Sequence, residues 1–325
     1  MPRPLVIRPS ALRFRQAALR CLVFALVIAS LPLRSAVAQR GPLRRSVVAS
    51  GDGVGLVVWS KRPAHGVKGS ILLLHGRTWS ARPNFDLQVP GQRVSLMDAF
   101  VRRGYAVYAL DQRGYGATPR DSSQWLTPET AAHDAITVLR WIGARRAGHD
   151  RPALLGYSQG SLTAMLAAER DSGALSALVL YGFPLDLSDT TLRHASRPAP
   201  RLERRATTIA GAEEDFLTPE STPTGVKAAY ATAAVASDPV RSDWRDEGTF
   251  LSMDPGALHM PVLVLNGERD PYAARAHLGS FLARVTGVDR SWVVLAQADH
   301  VAHLERQSAF VDAIVAFLER DHRLR

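Results

Sequence analysis

Gly156-Tyr157-Ser158-Gln159-Gly160 has the form G-x-S-x-G. A serine hydroxyl is a weak nucleophile until a base takes its proton, and it must stand clear of the backbone to reach a carbonyl carbon. A tight strand-to-helix turn achieves that exposure, and small residues on either side prevent collision. The context fits: the apolar run "PALLGY" precedes Ser158, and "SLTAMLAAER", rich in helix formers, follows Gln159-Gly160. Free N–H groups at the start of that helix face the same spot with partial positive charge. The chemistry indicated is acyl transfer through a serine. A thiol nucleophile is disfavoured, because the single cysteine, Cys21, lies in an N-terminal stretch expected to be removed.

The surrounding pattern supplies elements to hold such a turn. "SVVASGDGVGLVVW" places two β-branched runs around Gly-Asp-Gly, which predicts a hairpin. "SILLLHG", "YAVYALDQRG", "PALLGYSQG", "ALSALVLYGFP", "PVLVLNGERD" and "SWVVLAQADH" are continuous apolar runs, each ending in a polar turn. Between them lie helical patterns: "LMDAFVRRG", closed by glycine; "TPETAAHDAITVLRWIGARR", capped by Thr127 with Pro128 in its first turn; and the closing "SAFVDAIVAFLERD". Strands apolar on both faces, alternating with helices, predict a mostly parallel sheet covered on both sides. Between Pro184 and Pro261 the rhythm breaks into an Ala-rich, Pro-interrupted stretch, read as a helical or irregular insertion and not a second domain.

The 325 residues carry a formal net charge of +10 and a sequence pI near 10.4. Six arginines of residues 1–38, a stretch without acidic residues, hold much of that excess and leave +4 for the rest. The remainder is scattered, so a nucleic-acid partner is not expected. The basic start, the uncharged "CLVFALVIASLPL" and the small-x-small "AVA" at 36–38 have the layout of an export signal cut before Gln39. The expected product is a single domain, 39–325, periplasmic or secreted, with no stable membrane span. The alternative is an uncleaved leader acting as an anchor.

"LLLHGRTWS", "DQRGYGATP", "GYSQG", "LNGERDPY" and "ADH", in that order, make the chain resemble the α/β-hydrolase superfamily from about Ser46 to the closing helix. The resemblance implies a doubly wound sheet with a cap insertion at about 185–260, before the acid-bearing strand. It also implies a base and an acid later in the chain, in the order Ser, Asp, His. Asp270 and His300 each follow a strand and fit that order. Ser158 then attacks, His300 relays the proton, and Asp270 orients the imidazole and stabilises its cation. Asp186 is a rival acid, since some members seat it after the preceding strand. Two backbone N–H groups stabilise the oxyanion in such enzymes; Gln159 and Arg77 are the matching residues. Trp79, Tyr157 and Trp125 are candidates to line the pocket, while Asp111, Arg113 and Gly116 read as scaffold. His75 reads as a hydrogen-bonded loop residue and His303 as a surface residue of a helix. Epoxide hydrolases and haloalkane dehalogenases share the "DQRGYGATP" pattern but use an aspartate where this chain has Ser158. No P-loop, HExxH or G-x-G-x-x-G motif is present, so neither nucleotide cofactor nor catalytic metal is expected. The expected activity is that of a serine hydrolase, first a carboxylic-ester hydrolase acting on a small ester or related acyl compound. The alternatives are a peptidase, an acyltransferase, or a non-enzymatic binding protein on the same scaffold.

Overall fold

Each apolar run becomes a strand in the computed structural model, which describes residues 41–145, 150–184, 186, 201–287 and 289–320. The expected leader and the first part of the expected insertion lie outside the described residues. The strands are β1 (Arg44–Ala49), β2 (Gly55–Lys61), β3 (Gly69–Leu74), β4 (Tyr105–Leu110), β5 (Trp125–Leu126), β6 (Ala153–Tyr157), β7 (Leu178–Tyr181), β8 (Asp243–Trp244), β9 (Val262–Gly267) and β10 (Arg290–Leu295). The helices are α1 (Ala81–Phe85), α2 (Leu96–Arg102), α3 (Pro128–Gly143), α4 (Gln159–Arg170), α5 (Ile209–Glu213), α6 (Val226–Ser237), α7 (Arg275–Arg284), α8 (Ala302–Glu305) and α9 (Gln307–Leu318).

Eight strands form one sheet in the order β1-β2-β4-β3-β6-β7-β9-β10. The hairpin β1–β2 is antiparallel, with Val47 opposite Val57, and β2 joins β4 antiparallel. From β4 to β10 every neighbouring pair is parallel. The carboxyl ends of these six strands therefore share one edge, where their loops gather. β5 and β8 pair separately as a two-residue ribbon.

Alternation along the strands explains why both faces are apolar. Leu72, Leu74, Leu154, Leu180 and Val264 point to one side, against Val138 and Leu139 of α3 and Met165 and Leu166 of α4. Ile71, Leu73, Leu155, Val179 and Leu263 point to the other, against Phe85, Met97, Phe100, Phe310 and Ile314. Each such side chain contributes roughly 1.5–3 kcal/mol by leaving water. The Thr127 hydroxyl accepts the Thr130 N–H at 3.1 Å, so α3 begins where its cap residue stands.

The described part of the β7–β9 connection, residues 201–260, holds α5, α6, β8 and 3₁₀ turns at Glu247–Ser252 and Pro255–Ala257. It adds no strand to the main sheet. Val226, Tyr230, Ala231 and Ala234 of α6 pack with Trp79, Leu87, Val94, Val301 and Leu304 in a third apolar cluster. The connection is thereby seated on the loops after β3 and β10.

Candidate active site

Ser158 directly follows β6 and directly precedes α4. Its backbone has φ 53° and ψ −124°, a conformation that non-glycine residues adopt at a cost of order 1–3 kcal/mol. The surroundings hold it there. Its N–H donates to the Tyr181 carbonyl at 2.9 Å, and its own carbonyl accepts the Ser161 N–H at 2.8 Å and the Ser161 hydroxyl at 2.5 Å. The flanking glycines are required by space. A Cβ on Gly156 would strike the Gly160 carbonyl, and one on Gly160 would strike the carbonyls of Leu74 and His75. G-x-S-x-G is therefore a packing rule here as much as a motif.

His300 follows β10 and Asp270 follows β9. Asp270 Oδ2 lies 2.9 Å from His300 Nδ1, and both side chains are buried. A carboxylate only accepts, so Nδ1 carries the hydrogen and Nε2 keeps a lone pair, the arrangement of an oriented base. Asp270 Oδ1 accepts the Tyr272 N–H at 3.0 Å, which fixes the carboxylate plane. Tyr181 Oη donates to the His300 carbonyl at 2.6 Å. The imidazole sits between the Tyr157 ring, 5.1 Å away, and the Tyr272 ring, 4.9 Å away. Gly182, the residue after Tyr181, leaves room for the pair: a Cβ there would lie 3.1 Å from Nδ1 and 3.3 Å from Asp270 Oδ2. Tyr181 thus holds Ser158 through its carbonyl and His300 through its hydroxyl. Asp186 instead pairs with His277 at 3.1 Å. Asp299, beside His300 in sequence, accepts the N–H groups of Thr218 and Val301.

The loop after β3 reaches the serine. A Cβ on Gly76 would lie 3.0 Å from Ser158 Cβ. His75 is fully buried, its Nε2 accepting the Gln112 N–H at 3.0 Å, so its Nδ1–H donates to the Gly76 carbonyl at 2.8 Å. Burial pulls its pKa down to about 4, against the Gly76 hydrogen bond, and the ring stays neutral. Holding the Gly76 carbonyl fixes the Gly76–Arg77 peptide plane and aims the Arg77 N–H the opposite way. Gln159 is the first residue of α4, with its N–H among those free of helical partners. Asp111 braces the neighbouring loops, accepting from the Ala81 and Ala117 N–H groups and from Trp59 Nε1. Arg113 pairs with Asp52, Asp121 and Asp134, and Gly116 closes against Asp111.

The aromatic candidates take different places. Trp79 is buried in the cluster beneath α6. Tyr157 is buried and stacked on Tyr181 at 4.8 Å, a support under His300. Trp125 is half-buried in the ribbon with β8. His303 departs from the surface role expected of it. It is fully buried, with Nε2 3.0 Å from the Asn84 carbonyl and Nδ1 3.1 Å from Tyr181 Oη, and burial lowers its pKa to about 3. The helix that carries it is covered by α1 and Phe310, a tertiary contact that its local spacing does not announce.

Two acidic residues of the β7–β9 connection went unmarked in sequence. Burial raises the Asp215 carboxyl to about 6; the charge of His300 and side-chain hydrogen bonds from Tyr230 and Trp79 act the other way. Glu247 receives hydrogen bonds from the side chains of Arg77 and Gln159. Neither belongs to a motif, and their loop positions depend on how a long connection folds back. Among the described residues no group of three or more His, Cys, Asp or Glu is placed to hold a metal ion.

Comparison with known proteins bears on the family and the fold. The model of the family described as serine aminopeptidase, S33, matches residues 65–307. Serine hydrolase BPHL of Mus musculus is 23% identical over 266 residues, covering 77% of this chain and 79% of that protein. Among solved structures, E-2-(acetamidomethylene)succinate hydrolase superposes with a TM-score of 0.60 at 18% identity, covering 86% of this chain and 100% of the other. Proline iminopeptidase of Mycobacterium smegmatis superposes with a TM-score of 0.59 at 18% identity, covering 86% and 99%. At these identities the structural likeness establishes the α/β-hydrolase fold.

Proposed function

The chain belongs to the serine aminopeptidase S33 family of α/β-hydrolases, and from that premise we propose that it hydrolyses carboxylic esters through an acyl-enzyme formed on Ser158. The supporting observation is the Asp270–His300 pair at 2.9 Å, with His300 and a strained Ser158 both tied to Tyr181. His300 Nε2 takes the hydroxyl proton as Ser158 Oγ bonds to the substrate carbonyl carbon. The resulting oxyanion faces the main-chain N–H groups of Arg77 and Gln159. Collapse of the tetrahedral intermediate expels the alcohol, which receives its proton from His300. Water then repeats the sequence and frees the acid. Asp270 keeps the imidazole in one tautomer and stabilises its cation. The β7–β9 connection acts as a cap over this site.

A series of p-nitrophenyl esters from acetate to palmitate tests the reading. Wild type is expected to show Ser158-dependent turnover and to take up a fluorophosphonate label. Ser158→Ala is expected to lose at least about 10³-fold in kcat and all labelling. Turnover that survives the substitution overturns the assignment. A folded wild type that neither labels nor turns over favours a binding protein on a hydrolase scaffold.

A second reading, cleavage of aminoacyl esters or amides, is favoured by Asp215. Its acidic side chain, within electrostatic reach of His300, is suited to receive a substrate ammonium group. Under this reading wild type prefers an aminoacyl ester to its N-acetylated form, and Asp215→Asn erases the preference. Equal rates on the two esters in wild type exclude it. The N-terminal layout adds a proposal of export, with cleavage after Ala38; N-terminal sequencing of exported chain beginning elsewhere than Gln39 rejects that cut. No helix among the described residues is long and apolar enough to cross a membrane.

A further inference from the structure

Glu247 begins the 3₁₀ turn Glu247–Ser252. Buried Phe250 and Leu251 hold this turn, and the Phe250 ring lies 6.2 Å from that of Trp244 in the β5–β8 ribbon. A single carboxylate oxygen, Glu247 Oε1, accepts from Arg77 Nη1 at 2.6 Å and from Gln159 Nε2 at 3.1 Å. The two donors come from separate elements, the loop after β3 and the start of α4. We propose that Glu247 is a positioning residue that bridges these elements and sets the spacing of the two main-chain N–H groups facing the oxyanion. The inference rests on the oxyanion roles given above to Arg77 and Gln159.

The need for such a bridge is geometric. Both N–H groups must lie about 2.7–3.1 Å from one developing oxygen, and a loop that drifts by about an ångström loses that contact. His75 holds one side of the loop, through the Gly76 carbonyl. Glu247 holds the other, through the Arg77 guanidinium, and ties it to the first residue of α4. Its anchor belongs to the β7–β9 connection, so seating that connection completes the hole. Glu247 itself contacts neither Ser158 nor His300 by any hydrogen bond and needs no contact with substrate.

The test compares wild type, Glu247→Ala, Glu247→Asp and Glu247→Gln on p-nitrophenyl acetate. It also measures binding of a boronic acid, which forms a tetrahedral adduct on the serine with an oxygen in the hole. Glu247→Asp retains the charge but draws the oxygen back by one methylene. Glu247→Gln retains a carbonyl acceptor at the same reach. In Ala and Asp, kcat is expected to fall about tenfold with KM within about twofold, and boronate affinity to fall in step. Gln is expected to recover most of both. Asp is the gentler change, so its result decides if Ala fails to fold. Unchanged kcat in Asp, a loss confined to KM, or a Gln variant as impaired as Asp overturns the bridge. Wild type without Ser158-dependent turnover removes the hydrolase reading instead, so the two failures are distinct.

Discussion

At the residue scale, the site is built from atoms that have little freedom. Ser158 stays at positive φ because Gly156 and Gly160 let strand and helix approach closer than any side chain permits. Gly160→Ala places a methyl group against two carbonyls, a clash the buried strand β3 cannot relieve by moving. The expected cost is about 2–4 kcal/mol in denaturant unfolding, with loss of hydrolysis. A variant that unfolds like wild type contradicts the packing account. The same economy governs His75: fully buried and neutral, it acts by orienting a peptide and not by exchanging protons. His303 lies three residues beyond His300, yet it is fully buried, with Nε2 against the Asn84 carbonyl.

At the element scale, helices reach the sheet through polar ties as well as apolar faces. Lys61, at the end of β2, lies buried between Asp86 beyond α1 and Asp98 within α2, at 2.5 and 2.7 Å. Asp86 also accepts from Ser95, the N-cap of α2. Lys61→Met leaves two buried carboxylates without their cation. Loss of about 3–5 kcal/mol of stability is expected, measurable by urea unfolding. Adding Asp86→Asn and Asp98→Asn is expected to recover part of it, because the uncompensated charges are then gone. A Met variant as stable as wild type would show that the carboxylates find other partners. The places of α2, α3 and α9 followed from apolar spacing, with a cap residue marking the start of α3. The short helices of residues 201–260 did not, since they bury few residues each and depend on the surface they cover.

At the scale of the whole molecule, pH acts through groups of opposite sign. Burial raises Glu305 from its ordinary 4.5 to about 7, and the charge of Asp299 adds to this, while the Asp299 N–H acts the other way. Between those values the unfolded chain has released its proton and the folded chain retains it, so stability from this group falls as pH rises. His75 and His303 are depressed to about 4 and about 3, so they stay neutral in the fold. Their stability is complete above about 6.5 and is lost as pH falls toward those values. Glu305→Gln isolates the first contribution. Its gain over wild type is expected to be small at pH 5 and to reach about 2 kcal/mol at pH 8, read from urea midpoints. A gain that shrinks with rising pH reverses the assignment. Thr218 of the β7–β9 connection donates to Asp299, so this carboxyl pair also lies where the connection meets the His300 loop.

The order of strands and helices, the serine turn, and the positions of Asp270 and His300 just past their strands were readable in the chain because each leaves a local mark. Continuous apolar runs mark strands covered on both faces, and glycines mark backbones that touch. Folding decided what has no local mark. Asp270 and not Asp186 meets His300 because β10 lies beside β9 in the sheet, and Asp186 turns to His277. Tyr157 became a support and His303 a core residue for the same reason: burial of a side chain is set by what the rest of the chain places over it. Asp215 and Glu247 gained their positions only when the long connection settled on the strand-end loops, bringing together residues far apart in sequence that no spacing rule relates.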